Sequence, residues 1–202
     1  MQRNNGPEQG KKAFTPRSIR RVLIVCEDTK SSCYYFESFP YNKSLVELKI
    51  LGTGSNTDSL MTEAIRLKNE AYQHKRPYSK VWVVFDRDSF PKSNYSRAFD
   101  LARAHSEVEA CWSNECFELW YLLHFQYQNA AIGREAINRK LSKLLGATYN
   151  KADKTIYSKL TELQPIALKN AKKLAFEMQH YDNPSTKVHE LVDELNSHNQ
   201  LK

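Results

Sequence analysis

Two short hydrophobic runs, each followed directly by acidic residues, constrain the fold of this chain most. The first run is Val22–Cys26, followed by Glu27, and the second is Val81–Phe85, followed by Asp86 and Asp88. Each run is five residues long and mostly β-branched or aromatic. This is typical of strands that are buried on both faces of a parallel sheet. The runs therefore predict an α/β fold.

The acidic residues after these two strands predict a metal site. Ligands of open α/β sheets bind beyond the carboxyl ends of the strands. If the strands are neighbours, Glu27, Asp86 and Asp88 share one small volume, where they repel one another unless cations or protons compensate them. Hard oxygen ligands suit Mg²⁺ or Mn²⁺. The leading interpretation is a metal-dependent phosphoryl-transfer site, and the alternative is that each acid serves only in a turn or a helix cap.

The pattern around the two runs predicts the element order βαβαβαβ. Strands are expected at 21–26, 46–51, 80–85 and 108–112, and helices at 32–39, 58–74 and 94–105. This order indicates a parallel sheet with right-handed crossovers. The sequence Gly52-Thr53-Gly54 lacks the third glycine of a dinucleotide site and the Gly-Lys-Ser/Thr ending of a P-loop, so it is interpreted as a turn.

The segment Ser113–Phe125, after the fourth strand, predicts a buried helix because it is apolar nearly all round. Glu118 is the exception in this segment. A buried carboxylate is costly unless a cation, a proton or strong donors compensate it. Either Glu118 is a further acid of the metal site, or it forms a structural pair with an arginine such as Arg87.

The chain becomes helical and more polar after about residue 132. Helices are expected near 134–145, 155–162, 165–180 and 185–197, the last with Ser185 or Thr186 as its cap. The chain is therefore expected to divide into three parts. These are a flexible basic tail at 1–18, an α/β core at 19–128 and a helical C-terminal extension at 129–202 packed on the core.

Positive charge is concentrated in two segments of a chain whose net charge is +7. Residues 1–21 carry six Lys or Arg against one acid, and residues 139–173 carry nine against two. Phosphate backbones bind to such surfaces, although an ordinary solvated lysine-rich helix face explains the pattern equally well. The candidate phosphate contacts are Lys30, Arg87, Arg139, Lys143, Lys151 and Lys154.

The cysteines and the first residues predict a reduced, cytoplasmic protein. The four cysteines form no Cys-x-x-Cys pair and no zinc-like cluster with histidine. The N-terminal sequence lacks the apolar region of a signal peptide. No apolar stretch is long enough to span a bilayer, so a membrane partner is not expected. The sequence does not predict the oligomeric state.

Four segments, in order along the chain, resemble the RloB-like family of Toprim proteins. They are the strand ending at Glu27 with Tyr35-Phe36 behind it, the strand Val83–Asp88, the segment Ser113–Phe125, and Asn183–Thr186 with Val188-His189. Together they span roughly residues 20 to 195.

The resemblance implies a Toprim α/β core, which is Rossmann-like and is shared by topoisomerases, bacterial primases and OLD-family nucleases. In such cores a glutamate after the first strand acts as general acid/base or metal ligand, and an Asp-x-Asp pair holds Mg²⁺. By position these residues correspond to Glu27, Asp86 and Asp88. Glu118, from the buried segment, is expected in addition as a further ligand. The resemblance also implies a nuclease effector of antiviral defence that works with an ATPase partner.

Three positions depart from the family pattern. Asp28 stands where glycine is common, Ser31-Ser32 where Thr-Glu is common, and Glu115 where proline is usual.

The expected function is a Mg²⁺- or Mn²⁺-dependent nuclease acting on DNA or RNA. The alternative is a non-catalytic nucleic-acid-binding or regulatory subunit on the same fold, because a fold alone does not establish activity.

Overall fold

A five-stranded sheet forms the centre of the molecule. In this computed structural model, residues 19–54, 57–87 and 92–199 are described. The strands are β1 (Arg20–Cys26), β2 (Val46–Gly52), β3 (Lys80–Asp86), β4 (Val108–Asn114) and β5 (Ser185–Thr186). Their order in the sheet is β2-β1-β3-β4-β5. The first four strands are parallel and β5 is antiparallel to β4, so the predicted mostly parallel α/β sheet is confirmed.

Helices connect the strands and continue to the C-terminal end of the described chain. They are α1 (Ser31–Glu37), α2 (Thr57–Gln73), α3 (Lys92–Arg103), α4 (Glu118–Phe125), α5 (Arg134–Leu145), α6 (Ile156–Leu160), α7 (Gln164–Glu177) and α8 (Val188–Asn199). A 3₁₀ turn at Thr161–Leu163 joins α6 to α7. Within the described ranges, none of the helices is both long enough and apolar enough to cross a membrane.

Alternate residues of the central strands face opposite layers of helices. Val22 and Trp82 belong to a hydrophobic cluster that also includes side chains of α1, α4, α7 and α8. Leu23 and Val83 belong to a second cluster, with side chains of α2 and α3. Both faces of the sheet are therefore covered, which explains why the strands are hydrophobic without alternation. The C-terminal helices pack on the core and complete one of its two layers.

The chain between β4 and α4 differs from the sequence-based expectation. Ser113 and Asn114 belong to β4, and the helix begins at Glu118 rather than at residue 113. The strand continues because Ser113 pairs with Thr186 and Asn114 pairs with Ser185 of β5. From the sequence, Ser185 and Thr186 are interpreted as the start of a helix, because two polar residues before a helix do not by themselves predict a two-residue strand such as β5. The backbone N–H of Val188 also donates to Thr186 Oγ1 at 3.3 Å, so Thr186 satisfies a backbone donor at the start of α8 as well.

The loop after β2 holds the loop after β1 in place. The N–H of Thr53 donates to Cys26 O at 3.0 Å, and the N–H of Gly54 donates to Glu27 O at 2.8 Å. A Cβ atom on Gly52 would lie 2.7 Å from Asp28 O, so only glycine permits this approach. Gly54 has a φ of +65°, which also favours glycine. The Gly-x-Gly sequence is thus a turn that supports the backbone of Glu27 and Asp28.

Candidate functional site

Glu27 and Asp86 lie next to each other at the carboxyl edge of the sheet. β1 and β3 are adjacent and parallel, so the residues that follow or end them meet at the same edge. The N–H of Asp86 donates to Glu27 Oε2 at 2.9 Å, which orients that carboxylate. The N–H of Glu27 donates to Val84 O at 2.8 Å. The predicted third acid, Asp88, lies outside the described residues.

Asp86 forms an ion pair with a residue that the sequence analysis did not select. The Nη2 atom of Arg134 lies 3.2 Å from Asp86 Oδ2, and the side chains are 36% and 13% exposed, respectively. Arg134 is the first residue of α5, where the helix dipole disfavours a cation. An arginine at a predicted helix start therefore suggests an acidic partner nearby. The basic segment identified from the sequence begins only at Arg139, so Arg134 lay outside it.

Asp28 connects the loop after β1 to the segment between α5 and α6. Its Oδ1 accepts the Ser32 hydroxyl at 2.7 Å and the Ser32 N–H at 3.2 Å, so it binds the first turn of α1. Its Oδ2 lies 3.4 Å from the Nζ atom of Lys151. Asp28 and Ser32, at which the family resemblance led us to expect other residues, are thus in direct contact.

Glu118 is buried at the start of α4, with 2% of its surface exposed. Its Oε1 accepts hydrogen bonds from the Ser31 hydroxyl at 2.6 Å and the Tyr149 hydroxyl at 3.0 Å. Its Oε2 has no hydrogen-bond partner among the described residues. Among the hydrogen bonds that Glu118 accepts from described residues, which come from Ser31 and Tyr149, none comes from Arg87, so the alternative of a structural pair with Arg87 is not observed. The guanidinium of Arg87 instead lies 5.4 Å from the ring centroid of Tyr95.

The electrostatic environment keeps both Glu118 and Lys151 charged. Burial raises the pKa of Glu118, but the Ser31 hydroxyl and the charge of Lys151 outweigh burial and lower this pKa below its ordinary value. Burial lowers the pKa of Lys151, but the negative charges of Glu118, Asp28 and Asp86 raise it by more.

Glu27, Asp28, Asp86, Glu118, Arg134 and Lys151 are named the acid–base cluster below. The acids come from the edge of the sheet and the start of α4, whereas both cations come from the C-terminal helical part of the chain. Lys151 was one of the cations selected from the sequence as phosphate contacts. The structure brings it within 3.4 Å of Asp28, although the two residues are far apart in sequence.

The other predicted phosphate contacts have different surroundings. Lys154 Nζ lies 5.1 Å from the ring centroid of Tyr34, on α1. Arg139 lies 3.7 Å from Glu135 on the same helix and is 70% exposed. Lys30 and Lys143 are exposed. Lys151 differs from these four residues. In the described part of the chain, it forms an ion pair with an acid of the cluster, and the other four do not.

The donor atoms of the cluster fit a hard divalent cation in their chemistry. Glu27 and Asp86 each contribute a carboxylate at the same sheet edge, where the backbone N–H of Asp86 donates to Glu27 Oε2, and Glu118 has a buried oxygen that accepts no hydrogen bond from the described residues. These are the ligands that Mg²⁺ and Mn²⁺ prefer. Within the described ranges, however, no three His, Cys, Asp or Glu residues are grouped closely enough to form a ligand set. A complete set therefore requires Asp88 or a rearrangement of the cluster.

A comparison with protein families covers nearly all of the described chain. A family model described as "RloB-like protein" matches residues 22–195. A search of curated proteins found no match. The matched span includes every residue of the acid–base cluster. The chain belongs to the RloB-like protein family.

Proposed function

We propose that this protein is a Mg²⁺- or Mn²⁺-dependent nuclease that hydrolyses phosphodiester bonds at the carboxyl edge of β1 and β3. The observation that carries the proposal is the contact between Glu27 and Asp86 at the ends of two adjacent parallel strands. Edges of this kind are where open α/β sheets bind ligands. The resemblance of the family to Toprim proteins supports the same chemistry.

In this proposal Asp86 and Asp88 would hold the metal, and Glu118 would supply an additional ligand through Oε2. When bound, the metal neutralises charge on the scissile phosphate. Glu27 exchanges a proton with the attacking water or the leaving oxygen, or completes the ligand set. Its orientation for either role comes from the hydrogen bond that it accepts from the N–H of Asp86.

The nucleic acid is held by cations beside the acidic edge. Lys151 carries a stable positive charge, because the pKa of its amine is raised by Glu118, Asp28 and Asp86 in spite of burial. A phosphate backbone needs several separated cations, and the proposed further contacts are Lys30, Arg87, Arg139, Lys143 and Lys154. From the family resemblance alone, we extend the proposal to antiviral defence together with an ATPase partner protein.

The decisive experiment is cleavage of mixed RNA and DNA by purified protein, with and without Mg²⁺ or Mn²⁺. We expect metal-dependent cleavage by the wild type, and loss of cleavage in Asp86→Asn and Glu27→Gln with nucleic-acid binding retained. Arg66→Gln is the control, because among the described residues Arg66 pairs with its neighbours on α2, Glu63 and Glu70. If Asp86→Asn, purified in parallel, cleaves as fast as the wild type, the activity does not come from this site.

A second candidate function is a non-catalytic nucleic-acid-binding or regulatory subunit. Two observations favour it: Arg134 already pairs with Asp86, and the described residues hold no three-residue metal ligand set. This alternative predicts nucleic-acid binding that does not depend on metal and no cleavage by the wild type. The same purified proteins therefore distinguish the two functions.

A further inference from the structure

We infer that Arg134 is an internal counter-ion that neutralises Asp86 until a metal binds, and then contacts the phosphate of the nucleic acid. This inference rests on the proposed function and adds a regulatory step at the same site. Such a site binds metal and nucleic acid cooperatively, because the metal binds Asp86 and the phosphate binds Arg134, and the binding of either one releases the partner of the other.

The first argument is competition for one carboxylate. Arg134 Nη2 lies 3.2 Å from Asp86 Oδ2. A metal ion bound to the same carboxylate at about 2.1 Å would place a divalent charge close to the guanidinium. Two cations at such a distance repel each other strongly in a partly buried site. A metal at Asp86 therefore competes with Arg134 for this carboxylate and weakens their ion pair.

The second argument concerns the positions of the two cations of the cluster. Lys151 is stabilised by three acids, Glu118, Asp28 and Asp86, so loss of Asp86 to a metal leaves it two. Arg134 is at the first position of α5, where the helix dipole disfavours a positive charge. Once Asp86 is taken by a metal, Arg134 loses the attraction of this carboxylate, and a new anion at the same edge becomes favourable for it.

The third argument is the chemistry of arginine. The side chain of Arg134 is long and 36% exposed, so its guanidinium can rotate toward solvent without unfolding α5. A guanidinium presents several N–H donors in a planar fork that matches phosphate oxygens. The anion that replaces Asp86 is therefore a phosphate of the bound nucleic acid.

The first test is Mn²⁺ binding, measured by titration calorimetry on the full chain without nucleic acid. Removal of the competing cation should lower the Kd of Arg134→Gln for Mn²⁺ by at least about fivefold. Arg134→Lys keeps the charge and should bind Mn²⁺ much like the wild type. Arg66→Gln, which breaks a comparable arginine–carboxylate pair on α2, should also leave the Kd unchanged. Thermal melts show that each variant is folded.

The outcomes of this test separate the inference from the proposed function. Wild-type protein that binds Mn²⁺ with the same Kd as Arg134→Gln overturns the counter-ion role and leaves the nuclease proposal standing. Wild-type protein that binds no Mn²⁺ overturns the nuclease proposal and the inference together.

The second test measures binding of a cleavage-resistant oligonucleotide by fluorescence anisotropy, in EDTA and in Mn²⁺. In EDTA, Arg134 is held by Asp86, so Arg134→Gln should bind within about twofold of the wild type. In Mn²⁺, the same variant should bind at least about fivefold more weakly. A loss of equal size in both conditions overturns the inference, because Arg134 would then contact nucleic acid whether or not a metal is bound.

Discussion

At the scale of single residues, Glu118 shows how a carboxylate is retained inside a hydrophobic cluster. It lies in a helix whose neighbours Leu119, Trp120 and Tyr121 are fully buried. Two hydroxyl donors and the charge of Lys151 replace the water that it loses on folding. Each donor comes from a different part of the chain, so the residue links α1, α4 and the segment before α6.

The first prediction concerns the charge of Glu118. Glu118→Gln keeps the size of the side chain but removes its charge, which weakens the bond from Ser31 and leaves Lys151 less compensated. We expect a loss of about 1–3 kcal/mol in the free energy of unfolding at pH 7. Urea unfolding followed by fluorescence measures this loss. Glu162→Gln, at an exposed position, is the control and should change stability by less than about 0.5 kcal/mol.

The pH dependence of this loss follows from the direction of the pKa shift. The pKa of Glu118 in the folded protein is below its ordinary value of 4.5, so the ionised form stabilises the fold above that pH. As the pH falls through the lowered pKa, the carboxylate becomes protonated and this stabilisation disappears. The difference in stability between wild type and Glu118→Gln should therefore shrink in acid. A difference that grows in acid would contradict an ionised Glu118.

At the scale of elements, α1 connects the candidate site to the hydrophobic core. The Asp28 loop and the first turn of α1 contact the cluster through Ser31 and Ser32. The remainder of the helix buries Tyr35 and Phe36. Their rings lie 5.3 Å apart, and the ring of Phe36 lies 5.8 Å from that of Phe117, just before α4. Tyr35 and Phe36 are therefore core residues.

The second prediction tests this packing with a matched pair of substitutions. Phe36 is 0% exposed and Phe176, on α7, is 93% exposed. Phe36→Ala should cost about 3–5 kcal/mol of unfolding free energy, because it removes buried apolar surface and leaves a cavity. Phe176→Ala should stay within about 0.5 kcal/mol of the wild type. Chemical unfolding of the two variants measures both values, and equal losses would show that α1 does not pack as described.

At the scale of the whole molecule, charge is arranged so that cations of the C-terminal helices meet acids of the sheet. Lys151 contacts Asp28, Arg134 contacts Asp86, and Lys154 lies over Tyr34. The net charge of +7 therefore does not by itself describe the surface that a nucleic acid would meet. That surface combines the acidic edge of the sheet with nearby cations.

The third prediction is that these flanking cations determine the salt dependence of nucleic-acid binding. Combined replacement of Lys143, Lys151 and Lys154 by Gln should weaken binding and flatten its dependence on salt, because fewer counterions are released. Each lost phosphate contact should reduce the log–log slope by about 0.9 for duplex DNA. The control is the combined replacement of three exposed arginines on other elements, Arg66, Arg76 and Arg103. Equal effects of the two triple variants would mean that binding follows net charge rather than this surface.

The sequence by itself determined the parts of this protein that depend on local pattern. Five-residue runs such as Val22–Cys26 are hydrophobic on both faces, and a parallel sheet covered on both sides buries such a run. The helix predicted at 134–145 has the observed bounds of α5, since its apolar spacing and Gly146 define both its face and its end. The acids Glu27 and Asp86 were predictable for the same reason, because their positions follow directly from the strands.

Only the tertiary structure decided which distant residues complete the site. Arg134 meets Asp86 and Tyr149 meets Glu118 because α5 and the segment after it pack beside the sheet edge, and no local pattern contains that packing. The two-residue strand β5 likewise exists only through its pairing with β4. Backbone periodicity is a local property of the chain, whereas charge pairing depends on contacts between residues far apart in sequence. The acids of the site could thus be predicted from the sequence, whereas the residues that pair with them could not.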